Sequence, residues 1–329
     1  MEESEPKPKP KPRFVISASE AQAHSSPIAK LLPSLVPSAQ SLARPPISNF
    51  PVAAVGLGAS GRIFVGVNVE FPGLPFHHTI HAEQFLLTNL SLHGETRLDS
   101  FAVSAAPCGH CRQFLQELRD APDIEILITS HANPDFTPLS HFLSHRFGPH
   151  DLLPKTAPLL LEPRHNALSL PTPIPQTTNP NLTLPALEAA NNSHAPYSAS
   201  PSGVALLDSK GSVYKGSYIE SAAYNPSLGP LQAALVAFIV GGGGGYDEIV
   251  AAVLVEKEGA VIKQEPTARL LLHSISPHCH FRAFLATSSL SSWTTINNID
   301  FSSAIKTITI YLCYRHVWIW CIIMPILCF

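Results

Sequence analysis

The chain has 329 residues, which is long enough for two domains of ordinary size. Its apolar fraction of 45% suits a globular core, and its formal net charge of -3 provides no cationic field that would attract nucleic acid. Six unevenly spaced cysteines do not indicate a disulfide scaffold, and no apolar segment follows a basic start as in a signal peptide, so we expect a reducing, cytoplasmic location.

The N-terminal part of the chain predicts an α/β domain at residues 14–153. Residues 1–13, where lysine alternates with proline, are expected to form a disordered tail. Helical segments broken near Pro33 and Pro37 are expected before residue 42. A ββαβαβ pattern follows, with its elements at Val52–Leu57, Arg62–Glu70, Ala82–Leu92, Ser100–Ala105, Arg112–Arg119 and Ile124–Thr129.

A split motif lies at the starts of two of these predicted helices. His81-Ala-Glu83 is followed 27 positions later (108 minus 81) by Pro107-Cys-Gly-His-Cys111. Zinc accepts imidazole and thiolate ligands, and a catalytic zinc keeps three protein ligands and one open position. His81, Cys108 and Cys111 supply those three ligands, and Glu83 is placed to move protons. The set is the signature of zinc-dependent nucleobase and nucleoside deaminases.

The spacing within the motif suits this chemistry. Cys108 and Cys111 are three residues apart at the start of a helix, so they share one face, and the helix dipole favours thiolates there. At a helix N-terminus His81 and Glu83 can both reach a metal. A hydroxide on that zinc would attack the cytosine ring while Glu83 transfers the protons.

A closed structural zinc site is the alternative interpretation of the same motif. Such a site needs a fourth protein ligand, and the nearby candidates are His110, His77 and His78. We expect these histidines to lie in loops or at a helix start, and therefore favour a catalytic metal.

The C-terminal part predicts a degenerate second copy of the domain. A proline-rich linker or ordered crossing segment at residues 154–185 precedes a strand, strand, helix, strand order at residues 186–284. Gly66–Glu70 aligns with Gly216–Glu220, 150 positions later (216 minus 66). Gly229–Gln232 aligns with His81–Gln84 but lacks the histidine and the glutamate, and no Cys-x-x-Cys follows. We expect that this copy cannot bind zinc.

The last part of the chain, residues 285–329, forms an atypical apolar extension. Tyr311–Phe329 has nearly the length of a membrane helix but contains Arg315 and Pro325. We do not expect the protein to lie in a membrane, although this apolar tail leaves that location open. The hypotheses are an artefact of the gene model, a tail anchor, or an additional packed element, and the sequence leaves all three open.

From about residue 14 to residue 284, the chain resembles the dimeric class of zinc-dependent cytidine deaminases, the two-unit form found in plants and enterobacteria. The segments that carry the resemblance are Phe64–Phe71, Thr79–Gln84, Ala106–Phe114 and Arg146–Pro149. The resemblance implies a three-layer α/β/α domain followed by a degenerate copy of the same fold. It also implies zinc in the first copy only, and a homodimer whose active sites are completed by the neighbouring subunit.

The same resemblance implies roles for further residues. Asn68 and Glu70 match the pair that binds the ribose 3′-hydroxyl, and they share one face of a strand. Phe50 matches the aromatic residue that packs on the pyrimidine ring. The backbone groups of Ala82 and Ala106 are expected to contact the edges of the base.

We therefore predict hydrolysis of cytidine and deoxycytidine to uridine and deoxyuridine, with release of ammonia, in pyrimidine salvage. Two alternatives stay open: a deaminase that acts on cytosine in RNA or DNA, and a non-catalytic binding or regulatory homologue. The absence of a basic patch argues against nucleic acid as a partner. The preference between ribose and deoxyribose is not predicted.

Overall fold

A computed structural model describes residues 13–24, 26–171 and 180–288, and its first sheet is built around a buried hairpin. Within these residues the sheet has six strands in the order β1-β3-β2-β4-β5-β6, with β4 and β5 parallel and the other neighbours antiparallel. The strands are β1 (Val15–Ile16), β2 (Ala53–Gly58), β3 (Ile63–Val67), β4 (Leu98–Val103), β5 (Glu125–Ile128) and β6 (Thr137–Pro138). β2 and β3 are almost continuously apolar and buried, as expected of strands with helices packed against the sheet.

Helices flank this first sheet. The helices that the structure describes here are α1 (Ala18–Ala23), α2 (Ile28–Ala39), α3 (Ala82–Leu92), α4 (Gly109–Phe114), α5 (Leu139–Phe142) and α6 (Pro149–Leu152). α3 lies close to β3 at Gly66, where an ideal Cβ would come within 2.2 Å of the Ala82 carbonyl oxygen. A glycine is therefore required for the helix that begins after His81 to approach the sheet.

Two expectations for the N-terminal segment are wrong. α2 runs without a break through Pro33 and Pro37, although each proline removes an intrahelical donor. Pro33 is partly exposed and Pro37 is exposed, so water can reach the side of the helix where carbonyl partners are lost. The segment before α1 is not helical, because Val15 and Ile16 pair with the edge of β3.

The proline-rich segment after residue 153 carries ordered structure. Leu159 and Leu160 are buried, and Leu168–Ser169 forms strand β7, which pairs with the C-terminal strand of the described chain. Helix α7 (Pro180–Asn191) begins within the range that the sequence predicted as linker. The sequence left a linker and an ordered crossing segment as the two interpretations, and the described residues of this segment fit the second.

The second sheet repeats the order of the first. Within the described residues it has five strands in the order β7-β11-β10-β8-β9, with β10 and β11 parallel. Its further strands and helices are β8 (Ser202–Asp208), β9 (Val213–Ser217), α8 (Pro230–Val240), β10 (Ile249–Lys257), α9 (Glu265–Ile275) and β11 (His280–Ser288). The sequence analysis identified neither α9 nor β11, and β11 extends past the predicted domain end at residue 284.

We call residues 13–153 the first repeat and residues 168–288 the second repeat. The central strand orders β3-β2-β4-β5 and β9-β8-β10-β11 correspond one to one, including the final parallel pair. Gly216 repeats the close approach of Gly66, since its ideal Cβ would lie 2.0 Å from the Ala234 backbone nitrogen of α8. The duplication predicted from the sequence is confirmed at the level of α/β topology.

The two repeats pack together as one compact body that ends at Ser288. Buried side chains of both repeats, including α3 and α8, belong to one large apolar cluster. The predicted disordered tail, apart from Arg13, and the apolar extension after Ser288 lie outside the described residues. Within the part of the chain that the structure describes, none of the helices has the length and hydropathy needed to cross a membrane.

Candidate active site and metal centre

The first repeat places His81 and Glu83 at the start of α3. An antiparallel bridge between Val69 and Ile80 brings the chain from the end of β3 to the helix N-terminus. His81 is the N-cap residue, and its backbone N–H donates to Oε1 of Gln84 at 3.2 Å. His81 and Glu83 therefore both lie at the N-terminal end of α3, as the spacing predicted.

Cys108 and Cys111 reach the same point from α4. Cys108 is the N-cap residue of this helix, and Cys111 is fully buried one turn later. The sulfur atoms are 3.7 Å apart, and Nδ1 of His81 lies 3.5 Å from the Cys108 sulfur and 3.2 Å from the Cys111 sulfur. Among the described residues, these three form the cluster able to hold a metal ion.

The separations fit a tetrahedral zinc ion. Zn–N bonds of about 2.0 Å and Zn–S bonds of about 2.3 Å place tetrahedral ligand atoms roughly 3.5 to 3.8 Å apart. The ring of His110, the nearest alternative fourth ligand, stands 5.3 Å from the His81 ring, centroid to centroid, and belongs to no metal-capable cluster of the described residues. Three ligands with an open fourth position are typical of a catalytic rather than a structural zinc.

The charges at this cluster also suit a divalent cation. The pKa of Cys108 is lowered to about 3, first by the hydrogen bond that its sulfur shares with Cys111 and second by its hydrogen bond with His81. The pKa of Cys111 is raised, first by the shared hydrogen bond and second by burial. Two thiolates this close repel each other, so holding both deprotonated requires a nearby positive charge such as Zn²⁺.

Glu83 is a buried carboxyl group beside the cluster. Only 4% of its surface is exposed, and desolvation is the main reason that its pKa is raised above the ordinary value for glutamate. A carboxyl group with a raised pKa can accept and return a proton near neutral pH. Glu83 is therefore equipped for the proton-transfer role that the motif predicted.

A cavity of about 230 Å³ opens next to this centre. Eight of the nine predicted site residues line it, all except the buried ligand Cys111. The lining predicted from sequence consists of Phe50, Asn68, Glu70, His81, Ala82, Glu83, Ala106 and Cys108. Residues that are 58 positions apart in sequence (108 minus 50) are thus brought to one concave surface that contains both the metal ligands and polar groups.

Asn68 and Glu70 are engaged with the loop that carries Phe50. Oδ1 of Asn68 accepts from the Val52 backbone N–H at 2.8 Å, and its Nδ2 donates to the Phe50 carbonyl at 3.0 Å. Glu70 accepts from the Ser48 hydroxyl at 2.6 Å and from two backbone N–H groups of this loop. One amide hydrogen and one carboxylate acceptor site remain for a bound hydroxyl.

The remaining predicted contacts differ in exposure. Phe50 is 60% exposed at the mouth of the cavity, whereas Ala82 is buried at the start of α3. Ala106 is exposed just ahead of the cysteine helix. An aromatic ring and two backbone segments therefore face the space where a flat ring would lie.

The second repeat keeps the frame of this site but not its chemistry. Gly229 and Leu231 stand where the first repeat has His81 and Glu83, and Tyr218 occupies the position of Asn68. We call the hydrogen bonds by which Glu70 holds the preceding loop its clamp. Glu220 repeats this clamp, because it accepts from the Ser198 hydroxyl and from the Tyr197 and Ser198 backbone N–H groups. The carboxylate clamp is thus a feature of the fold in both repeats.

Two site-supporting residues were missed by the sequence analysis. Nε of Arg112 donates to the Pro107 carbonyl at 2.7 Å, and its Nη1 donates to the Phe142 carbonyl at 3.1 Å. Arg112 therefore ties the approach to Cys108 to α5. Gln84 holds the backbone of His81. Both residues lie inside the motif segments, but each also bonds a carbonyl that is distant in sequence, that of Phe142 for Arg112 and that of Pro226 for Gln84, and no local pattern predicts those two contacts.

Family comparisons match both repeats to one description. Models of the "Cytidine and deoxycytidylate deaminase zinc-binding region" match residues 28–126 and residues 139–269. The first match contains His81, Glu83, Cys108 and Cys111. The second contains the aligned positions that lack them.

Relatives match across both repeats. "Cytidine deaminase 1" of Arabidopsis thaliana is 60% identical over 292 residues, which cover 82% of this chain and 97% of that protein. "Cytidine deaminase 6" of the same plant is 52% identical and covers 82% of this chain and 96% of its own length. The "Cytidine deaminase" of Photorhabdus laumondii is 44% identical and covers 73% and 78%. The similarity thus includes plant and enterobacterial proteins.

Proposed function

The chain belongs to the cytidine and deoxycytidylate deaminase family, and we propose that it hydrolyses cytidine and deoxycytidine to uridine and deoxyuridine with release of ammonia. The observation that carries this proposal is the position of a buried glutamate beside a His-Cys-Cys metal centre. Both open onto a cavity that is also lined by Asn68 and Glu70. The metal ligands, the proton carrier Glu83 and the sugar-binding groups would then all face one bound nucleoside.

The enzyme is a zinc-dependent hydrolase, and its metal would be held by His81, Cys108 and Cys111. Zinc held by these residues would supply hydroxide at neutral pH, because it lowers the pKa of water towards about 7. Cys111 is buried, whereas Cys108 and His81 are accessible from the cavity. The ligand set is thus closed off at Cys111 and open to the cavity at Cys108 and His81.

Glu83 moves the protons of the reaction. Its carboxylate accepts one proton of the attacking water and delivers it to the ring nitrogen, then takes the remaining proton from the hydroxyl added to the ring carbon and delivers it to the amine, so that a carbonyl forms there. The carbon–nitrogen bond breaks as the amine leaves as ammonia. Burial of Glu83 raises its pKa, which supports proton uptake and release at working pH.

Substrate orientation is assigned to the other residues of the cavity. Asn68 and Glu70 bind the 3′-hydroxyl with the donor and acceptor sites that their clamp leaves free. Phe50 packs against the pyrimidine ring, and the backbones at Ala82 and Ala106 contact the base edges. This arrangement favours a free nucleoside over a base alone, because the sugar contacts supply binding energy.

An ammonia-release assay tests the proposal. The zinc-loaded full chain is incubated with cytidine, deoxycytidine, cytosine or adenosine, and with a cytosine-containing single strand. We expect turnover of the two nucleosides and at least about tenfold lower kcat/KM for the free base, because it lacks the sugar contacts. Activity confined to the single strand, or no ammonia from any substrate, would refute the proposal.

We further propose that the enzyme works as a homodimer in the cytoplasm, in pyrimidine salvage. Chemistry is assigned to residues 14–153, and residues 186–284 act as scaffold. Three large side chains near the site support a partner surface, since Phe50, Phe76 and Tyr224 are 60%, 73% and 66% exposed on the single chain. Sedimentation equilibrium of the full chain tests the dimer, and a monomer with full activity would contradict it.

A further inference from the structure

Two buried glutamines, one at the start of α3 and one at the start of α8, each donate a hydrogen bond to the other repeat. Gln84 in the first repeat accepts from the His81 N–H and donates through Nε2 to the Pro226 carbonyl of the second repeat at 2.9 Å. Gln232 in the second repeat accepts from the Gly229 N–H at 3.0 Å and donates to the His78 carbonyl of the first repeat at 2.9 Å. Each side chain holds its own helix start and a loop of the other repeat.

The exchange is symmetric in sequence. Gln232 follows Gln84 by 148 positions (232 minus 84), and the acceptor Pro226 follows the acceptor His78 by the same interval (226 minus 78). Both glutamines stand three residues after the N-cap of their helices, and both are buried, at 2% and 7% exposure. Each buried amide thus uses both its oxygen and its nitrogen in a hydrogen bond, and such groups hold a geometry firmly because losing one partner leaves another unsatisfied.

The hydrogen bond from Gln232 to the His78 carbonyl matters because His78 lies close to a zinc ligand in sequence. His78 lies three residues before the zinc ligand His81, in a short turn whose other hydrogen bonds are local apart from the bridge between Val69 and Ile80. A cavity of about 540 Å³ lies beside this turn, lined by both repeats and by His81 itself. Packing from that side is therefore incomplete, and the Gln232 amide is a direct tie between the turn and the second repeat.

We propose that Gln232, in the repeat without metal ligands, is a positioning residue for the zinc ligand His81. It acts through the carbonyl of His78 and fixes the turn that delivers the imidazole to the metal. This inference rests on the proposed function for its catalytic consequence, but its effect on metal binding does not depend on which substrate is used. The second repeat would then contribute to the metal centre without touching the metal.

The test is Gln232→Met, which keeps the length of the side chain and removes both hydrogen-bonding groups. Zinc release to a colorimetric chelator and the visible spectrum of the Co²⁺-substituted full chain are measured at a temperature where the variant is folded. We expect about tenfold faster zinc release and a changed Co²⁺ spectrum, in the range found for residues that orient metal ligands. In steady-state assays kcat should fall about tenfold while KM stays within about twofold.

Ser276→Ala is the matched control. Ser276 is buried in the second repeat and donates to the Ile249 carbonyl at 2.8 Å, so this change removes one buried hydrogen bond where Gln232→Met removes two, and the bond lies within a single repeat. It should lower the melting temperature and leave zinc release and the Co²⁺ spectrum unchanged. If Gln232→Met behaves like this control, the proposal is wrong.

Gln232→Glu keeps the experiment decisive if the methionine variant does not fold. An ionised carboxylate can still accept from the Gly229 N–H but cannot donate to the His78 carbonyl, so above the pKa of the new glutamate it replaces the tie between repeats with repulsion between two oxygens, and zinc release is measured there. Accelerated zinc release supports the proposal, and wild-type release overturns it. Neither metal measurement needs turnover, so a chain that releases zinc as expected but deaminates no nucleoside would refute the proposed function and leave this inference standing.

Discussion

The two repeats share a frame and differ in a few side chains. Both keep a glycine where the helix meets the sheet, a glutamate clamp after the second long strand, and a glutamine three residues after the helix N-cap. Both also place a left-handed residue in the loop before the first long strand, Asn49 with φ 54° and Ala199 with φ 51°. We infer that features present in both repeats serve the fold. Features present in one repeat alone are candidates for catalytic or metal-binding roles.

That comparison separates the site residues into two groups. His81, Glu83 and the two cysteines have no counterpart in the second repeat, which has Gly229 and Leu231 in the corresponding helix start. Glu70 has a counterpart with the same hydrogen bonds. The sugar-binding role that we propose for Glu70 would therefore be added to a structural role that both repeats share, whereas the metal-binding side chains have no counterpart in the second repeat.

The largest effect is expected from loss of the metal. Cys111→Ser should reduce zinc from about one ion per chain to nearly none and bring deaminase activity below detection, because one of three protein ligands is gone. Cys279→Ser, which alters a free cysteine of the second repeat, should retain both zinc and activity. Metal analysis of the purified proteins gives the answer. About two zinc ions per wild-type chain would break the comparison between the repeats.

The next largest effect is expected from Glu83→Gln. The amide keeps the size of the side chain but cannot accept the water proton, so kcat should fall by about 10²- to 10⁴-fold with zinc still bound. Leu231→Met changes the corresponding position of the second repeat and should leave kcat unchanged. Ammonia release and zinc content are measured on both variants. Normal turnover by Glu83→Gln would rule out the proton-transfer role.

A smaller effect is expected from making the first cavity resemble the second. Tyr218, which occupies the position of Asn68, is buried, and burial is the main reason that its pKa is raised to about 12. Asn68→Tyr should raise the KM for cytidine by about 10- to 100-fold, because it removes the amide and fills space meant for the sugar. Tyr218→Phe is the control and should not change KM. An unchanged KM in Asn68→Tyr with full zinc content would contradict the sugar-binding role.

The metal centre was largely predictable because its ligands follow a spacing that zinc chemistry dictates. His81 and Cys108 meet because each caps a helix. The start of α3 was recognisable from the apolar pattern that follows it, whereas α4 begins at Gly109, three residues before the predicted start at Arg112. The duplication was visible from Gly66 and Gly216, since each permits the same helix contact. At these positions the residues that set the local structure also make the long-range contact, so the sequence predicted both.

Other features depend on contacts that no local pattern records. α2 continues through Pro33 and Pro37 because its prolines face solvent while Leu32 and Val36 are buried, an outcome set by packing rather than by propensity. The tie from Gln232 to His78 joins residues 154 positions apart (232 minus 78). Such a pair becomes evident only when the two repeats are seen packed together.

The smallest effect is expected from Glu70→Gln, which tests the structural task that the repeats share. Burial raises the pKa of Glu70, but hydrogen bonds from the Ser48 hydroxyl and from the Ser48 and Ile47 N–H groups outweigh it, so the pKa lies below the ordinary value. The ionised clamp thus adds stability above the unfolded pKa of about 4.3 and loses it as pH falls through the folded pKa. The urea midpoint of Glu70→Gln should therefore lie below that of wild type at neutral pH, and the gap should close in acid. Ser48→Ala removes one donor and should show a smaller gap with the same trend, and a gap that stays constant into acid would show that the clamp's charge does not contribute.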